Sequence, residues 1–182
     1  MKKITITILL ISIFAFAVSA DTLRIGGSVG LKKNNDEKST SIYNYDTGGL
    51  TYNVNLEVFV LKHFGLYAAG SFMEDLHGET IFLNEKTTMS HKYLSLIVAY
   101  HFDPEATIDI SLLAGVVEAW IQEKNPFNTF KDNNLGFEFG GRISVRIFDF
   151  FLLTTEGSYK VVKIADYDAG GFYGGAGLTL NF

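Results

Sequence analysis

Eight segments of this chain alternate apolar and polar residues with a period of two, and that repetition leaves few folds open. The clearest run is 49–61. Leu50, Tyr52, Val54, Leu56, Val58 and Val60 share one parity there, and Thr51, Asn53, Asn55, Glu57 and Phe59 share the other. A period of two sends successive side chains to opposite faces of a β-strand. The same pattern predicts strands over 22–31, 66–73, 90–102, 107–119, 134–148, 151–161 and 170–182. Segment 66–73 alternates least sharply. Leu66, Ala68, Gly70 and Phe72 are assigned to its outer face, with Tyr67, Ala69 and Ser71 as the competing choice. The last segment carries Phe172, Gly174, Ala176, Leu178, Leu180 and Phe182 on one parity and stops on that phenylalanine.

The connections add a rhythm. Stretches 32–48, 74–89, 120–133 and 162–169 are long, whereas 62–65, 103–106 and 149–150 are short. Long and short joints in strict alternation describe an up-and-down antiparallel barrel with tight turns at one end and loops at the other. An even number of strands brings both termini to the turn end. Strands of about 11 residues rise about 3.3 Å per residue; tilted about 40°, they span roughly the 25 Å apolar band of an outer membrane.

Charge decides which face points outward. Opposite the aliphatic face stand Arg24, Glu57, Asp109, Glu138, Arg142, Arg146, Glu156 and Lys160, four basic and four acidic, among Gly, Ser and Thr. A soluble barrel of the lipocalin type would turn the aliphatic face inward. Eight strands enclose an interior only wide enough for side chains, and large aliphatics at every inward position overfill it. The reading is therefore lipid outside and a lumen of small residues and paired charges. Glu156 is expected beside Arg142 or Ser144 across the tight turn at 149–150. Tyr100, Phe102, Phe148, Phe150, Phe151 and Phe182 gather at the turn ends, and Tyr52, Phe72, Phe137, Tyr159 and Phe172 towards the loop ends. Two such groups match interfacial girdles.

The first twenty residues read as an export signal: basic Lys2 and Lys3, an apolar 4–18, and the small-residue site Val18-Ser19-Ala20. Cleavage after Ala20 leaves one domain, 21–182. Without Lys2 and Lys3 the remainder keeps 13 of the 15 Lys+Arg against all 20 Asp+Glu, a formal charge of −7. An acidic chain of this kind is a poor nucleic-acid binder. It has no Cys, so neither disulfides nor a lipidated cysteine hold it.

The signal at 1–20, the eight alternating segments, the loop rhythm and the terminal Phe182 together resemble the small eight-stranded outer-membrane β-barrels, the group of OmpX, Ail and the OmpA membrane domain. The resemblance covers the whole chain after the signal and is architectural. It implies an all-β, eight-stranded antiparallel up-and-down transmembrane β-barrel in the outer membrane of a diderm bacterium. It also implies outer-membrane lipid and lipopolysaccharide as surroundings, and Phe182 as a signal read by the barrel-assembly machinery.

Enzymatic members of this architecture modify lipid A and need a His, a Ser and a carboxylate together. His91 and Ser95 share the inward parity but lie about 13 Å apart along an extended strand, too far for a base–nucleophile hydrogen bond. His63, His77 and His101 have no Ser two residues away. No His pair has ligand spacing, and Asp166 and Asp168 read as solvated loop carboxylates. No cofactor is expected. The expected function is non-enzymatic: a structural or surface-interaction role for the long loops. A narrow pore is the second reading and a lipid A hydrolase the third.

Overall fold

The alternating segments form strands because each has apolar side chains for one environment and small or polar ones for another. In this computed structural model residues 22–35, 43–45, 48–80, 86–124, 127–165 and 167–182 are described. The expected signal at 1–20 and Asp166 lie outside them. Eight strands make the wall: β1 (Leu23–Asn34), β3 (Gly48–Leu61), β4 (Phe64–Thr80), β5 (Lys86–His101), β6 (Ile108–Lys124), β7 (Thr129–Phe148), β8 (Phe151–Val161) and β11 (Gly171–Asn181). Three short strands join them: β2 (Tyr43–Tyr45), which pairs with the end of β4, and β9 (Lys163–Ile164) and β10 (Tyr167–Asp168), which pair with each other.

All wall pairings are antiparallel. The order β4-β3-β1-β11-β8-β7-β6-β5 returns to β4, so the sheet closes on itself. Closure joins the first strand to the last: Arg24 opposes Asn181, and the register runs unbroken to Asn34 opposite Gly171. Backbone bonds Phe182 N–H to Leu23 O (2.8 Å) and Leu23 N–H to Phe182 O (3.1 Å) finish the seam. A closed sheet has no edge to leave unsatisfied in hydrocarbon. The seam is narrow: a Cβ on Gly177 would lie 2.0 Å from Gly27 O, and one on Gly30 2.2 Å from Gly174 O. Glycine there lets strongly coiled strands approach.

The two faces separate as the alternation predicts. Leu31, Val54, Leu112, Leu135 and Phe137 are each more than half exposed. In 66–73 the outward choice is Leu66, Ala68, Gly70 and Phe72, while Tyr67, Ala69 and Ser71 are buried. A continuous apolar belt far exceeds the patch of a few hundred Å² that soluble proteins tolerate. Both aromatic groups lie on this belt: Phe102, Phe148, Phe150 and Phe182 are exposed at the turn end, and Phe72, Phe137 and Phe172 towards the loop end.

The loop end departs from the expected loops. Residues 32–34, 74–80, 86–89, 120–124 and 129–133 are strand. Residues 129–133 are exposed on both faces, and on the other extensions polar Lys32, Asn34, Thr87 and Glu123 take buried inward positions, so the alternation of apolar and polar residues fades. The ladder continues regardless, pairing Lys124 with Thr129 and Glu79 with Lys86. The segment after β8 is also unlike a solvated loop. Val162, Ile164, Tyr167 and Ala169 are buried against Met73, Leu76, Met89, Tyr93, Val117, Ala119 and Ile121. It folds into the barrel mouth as a cap.

The barrel lumen as the candidate functional site

Alternation aims every second residue of each wall strand inward, and those positions hold the charges. Arg24, Glu57, Asp109, Glu138, Arg142, Glu156 and Lys160 are all buried; Arg146 is half-buried at the turn end. Seven buried ionisable groups need partners, and they fall into two layers.

The layer nearer the turns is built around Glu57 and His101. Arg142 Nη2 donates to Glu57 Oε2 at 2.6 Å, across the lumen from β7 to β3. Arg24 Nη1 donates to Asp109 Oδ2 at 2.8 Å. His101 ties the pairs together, with Nε2 at 2.8 Å from Glu57 Oε1 and Nδ1 at 2.7 Å from Asp109 Oδ2. Both ring nitrogens thus face carboxylates, an arrangement an imidazolium meets with two N–H donors. Arg142 also lies over the Tyr67 ring at 5.1 Å, and Arg24 over Phe59 at 4.8 Å. Glu156 opposes Arg142 in the β7–β8 register and accepts a hydrogen bond from Tyr67 Oη at 2.9 Å.

The layer nearer the loops centres on Glu138. It accepts hydrogen bonds from Lys160 Nζ, Ser95 Oγ and Ser158 Oγ. Arg146 belongs to neither layer. Its Nη2 donates to Pro104 O at 3.0 Å, beside Arg24 Nη2 on the same carbonyl at 3.1 Å. There it lines a recess of about 480 Å³ open at the turn end.

Sequence reasoning missed three lumen residues. His101 sits at the end of β5 and enters the sequence reading only as a catalytic base without a serine; its inward parity with Ser95 was the available signal for a lumen role. Lys32 lay in a predicted loop, yet its side chain is 1 % exposed inside the barrel. Its ammonium donates to Asn34 Oδ1, to Ala169 O (3.2 Å) and to Gly170 O (2.9 Å). Tyr93 Oη donates to the same Ala169 O at 2.9 Å. These bonds pin the cap.

The hydrolase constellation does not assemble among the described residues. Ser95 is held by Glu138, and neither ring nitrogen of His91 has a hydrogen-bond partner. His91 stacks instead on Tyr93 and on Tyr167 of the cap, at 6.1 and 5.7 Å between centroids. Asp168 is not simply solvated: it accepts from Gly170 N–H at 2.9 Å and from Asn35 Nδ2 at 3.1 Å. No group of three potential metal ligands occurs among the described residues.

A closed eight-stranded antiparallel barrel, apolar outside and charged inside, is the fold of outer-membrane β-barrel proteins. Among solved structures this chain is similar to the outer membrane protein OprG of Pseudomonas aeruginosa (9% identity, 90% of this chain and 96% of that one, TM-score 0.71). It is also similar to the N-terminal β-barrel domain of Pseudomonas aeruginosa OprF (15% identity, 90% and 98%, TM-score 0.62). Ail, the attachment invasion locus protein of Yersinia pestis, shares the fold as well (14% identity, 88% and 97%, TM-score 0.55). No family model matches the chain, and neither does any curated protein sequence.

Proposed function

We propose that this protein is a non-conducting, non-enzymatic barrel of the bacterial outer membrane that displays its loop-end sheet at the cell surface. The observation that carries this reading is a lumen obstructed at three levels: by the Glu57–His101–Asp109 layer with its arginines, by Glu138 with Lys160, and by the cap at 162–170. A pore needs a continuous polar path, and buried pairs hold these side chains across it. The seven buried charges named from the sequence then serve to fill and specify the interior, and Arg146 lines its turn-end mouth. Outer-membrane lipid and lipopolysaccharide surround the belt, and the barrel-assembly machinery reads Phe182. The wall strands β4 to β7, prolonged past the belt, offer a polar sheet for contact with other molecules. Ail has been crystallised with a heparin analogue, an example of this fold holding a ligand.

The absence of cysteine makes location and orientation testable. Asn128→Cys at the exposed loop end is expected to react with a membrane-impermeant maleimide on intact cells. Glu105→Cys, in the turn 103–106, is expected to react only after the outer membrane is breached. The reverse pattern, or equal labelling, rejects surface display.

A further inference from the structure

The cap rests on a chamber whose chemistry exceeds what the cap needs. Two donors, Lys32 Nζ and Tyr93 Oη, converge on one oxygen, that of Ala169, at 3.2 and 2.9 Å. Among the described residues Lys32 donates only to neutral oxygens, although its side chain is buried. Two ammoniums, Lys32 and Lys160, flank the Tyr93 ring at 5.0 and 5.8 Å. Glu138 pairs with Lys160. Among the described residues the other inward carboxylates of this end are Glu123, buried near the rim, and Asp168, which bonds Gly170 and Asn35; Asp168 and Glu138 also act on Lys32 electrostatically, without a hydrogen bond to it. A buried ammonium served by carbonyls is a seat better suited to an anion.

His91 gives a second, independent sign. It is 1 % exposed, and both ring nitrogens lack a hydrogen-bond partner. Buried polar side chains are seldom left so. It stands beside Met73 and Ile121 in the register of β5 and stacks on Tyr167 of the cap. Met73, Leu76, Met89, Val117 and Ile121 form an apolar wall next to these polar groups, and Val162 and Ile164 of the cap fill it. The cap is tied to itself: β9 and β10 form their own two-stranded sheet, separate from the wall ladder. It joins the barrel through apolar contact, the Lys32 and Tyr93 bonds, and two polar ties at its rim, Asn134 Nδ2 to Lys163 O at 2.7 Å and Asn35 Nδ2 to Asp168 Oδ2 at 3.1 Å.

We propose that the loop-end chamber is a binding site for a small amphiphile with a carboxylate head and an apolar tail, and that the cap is its resident competitor. The Ala169 carbonyl occupies the head position between Lys32 and Tyr93, and Val162 and Ile164 occupy the tail position along Met73, Met89 and Ile121. A ligand that lifts the cap exchanges neutral acceptors on Lys32 for a charged one and offers His91 a partner. The layer around Glu57 stays in place, so ligand binding and conductance are separable.

Met73 and Met89 are the only methionines apart from Met1, and both line the chamber, which supplies the readout. The barrel in lipid nanodiscs, labelled with 13C-methyl methionine, is titrated with octanoate below its micelle-forming concentration, and with octyltrimethylammonium as the cationic control. Saturable shifts of both methyl signals with octanoate alone are expected. Lys32→Gln weakens binding about tenfold or more, a 1.4 kcal/mol change, whereas Lys33→Gln on the outer face leaves it unchanged. Ile164→Ala, which loosens the cap, strengthens binding. Unmoved methyl signals, equal shifts with the cation, or an Ile164→Ala barrel that binds no better each overturn the proposal. The last two readouts decide the matter even if Lys32→Gln does not fold.

Discussion

Arg142→Ala is expected to lower the unfolding free energy by about 3–5 kcal/mol, the range for removing one partner of a buried ion pair. The guanidinium holds Glu57 at 2.6 Å, and both side chains are buried. Without it the Glu57 carboxylate keeps only His101, and Glu156 faces the alanine across the register. Most of the loss comes from stranding those carboxylates, so the double change Arg142→Met with Glu57→Leu is expected to recover much of it. Urea titration in lipid vesicles, followed by circular dichroism, reads both. A midpoint that Arg142→Ala leaves in place would show that the charges do not act as a network.

Phe182→Ala is expected to act on a different stage. The Phe182 ring is 65 % exposed on the outer belt, while its backbone bonds Leu23 in both directions. Alanine keeps those backbone bonds, and the change in folded stability should stay within about 0.5 kcal/mol, as for most surface substitutions. If the assembly machinery reads this ring, the amount of protein reaching the outer membrane falls severalfold. Comparing membrane-fraction yield with the urea midpoint of the purified variant separates the two effects. A full yield removes Phe182 as a signal; a large midpoint shift makes it a structural residue instead.

The wall of the barrel was legible in the sequence because lipid and lumen impose opposite demands on successive residues. Strand β8 coincides with its predicted segment at 151–161, and the inward charges follow from parity alone. Legibility ends where that contrast ends. Thr129–Asn133 meets water on both faces, so nothing in its composition marks a strand, yet lateral hydrogen bonds to β6 carry the ladder through it. The cap shows a second limit. Val162 and Ile164 alternate like the start of a short strand, but only the open mouth beneath them, bounded by Met73, Met89 and Ile121, makes burial there favourable. Partners across the lumen were harder still. Arg142 meets Glu57 from β7 to β3, 85 positions away in the chain, a contact set by barrel circumference. The expected Arg142–Glu156 adjacency is local to one hairpin, and the register contains it.

A lumen closed by its own side chains carries no current. Single-channel recording in planar lipid bilayers tests this without intermediaries. With purified, folded protein in the bilayer, the current is expected to stay at baseline, with steps emerging only in variants that empty the lumen, such as Glu57→Ala with Arg142→Ala and Glu138→Ala. Reproducible unitary steps from the unaltered protein would contradict closure.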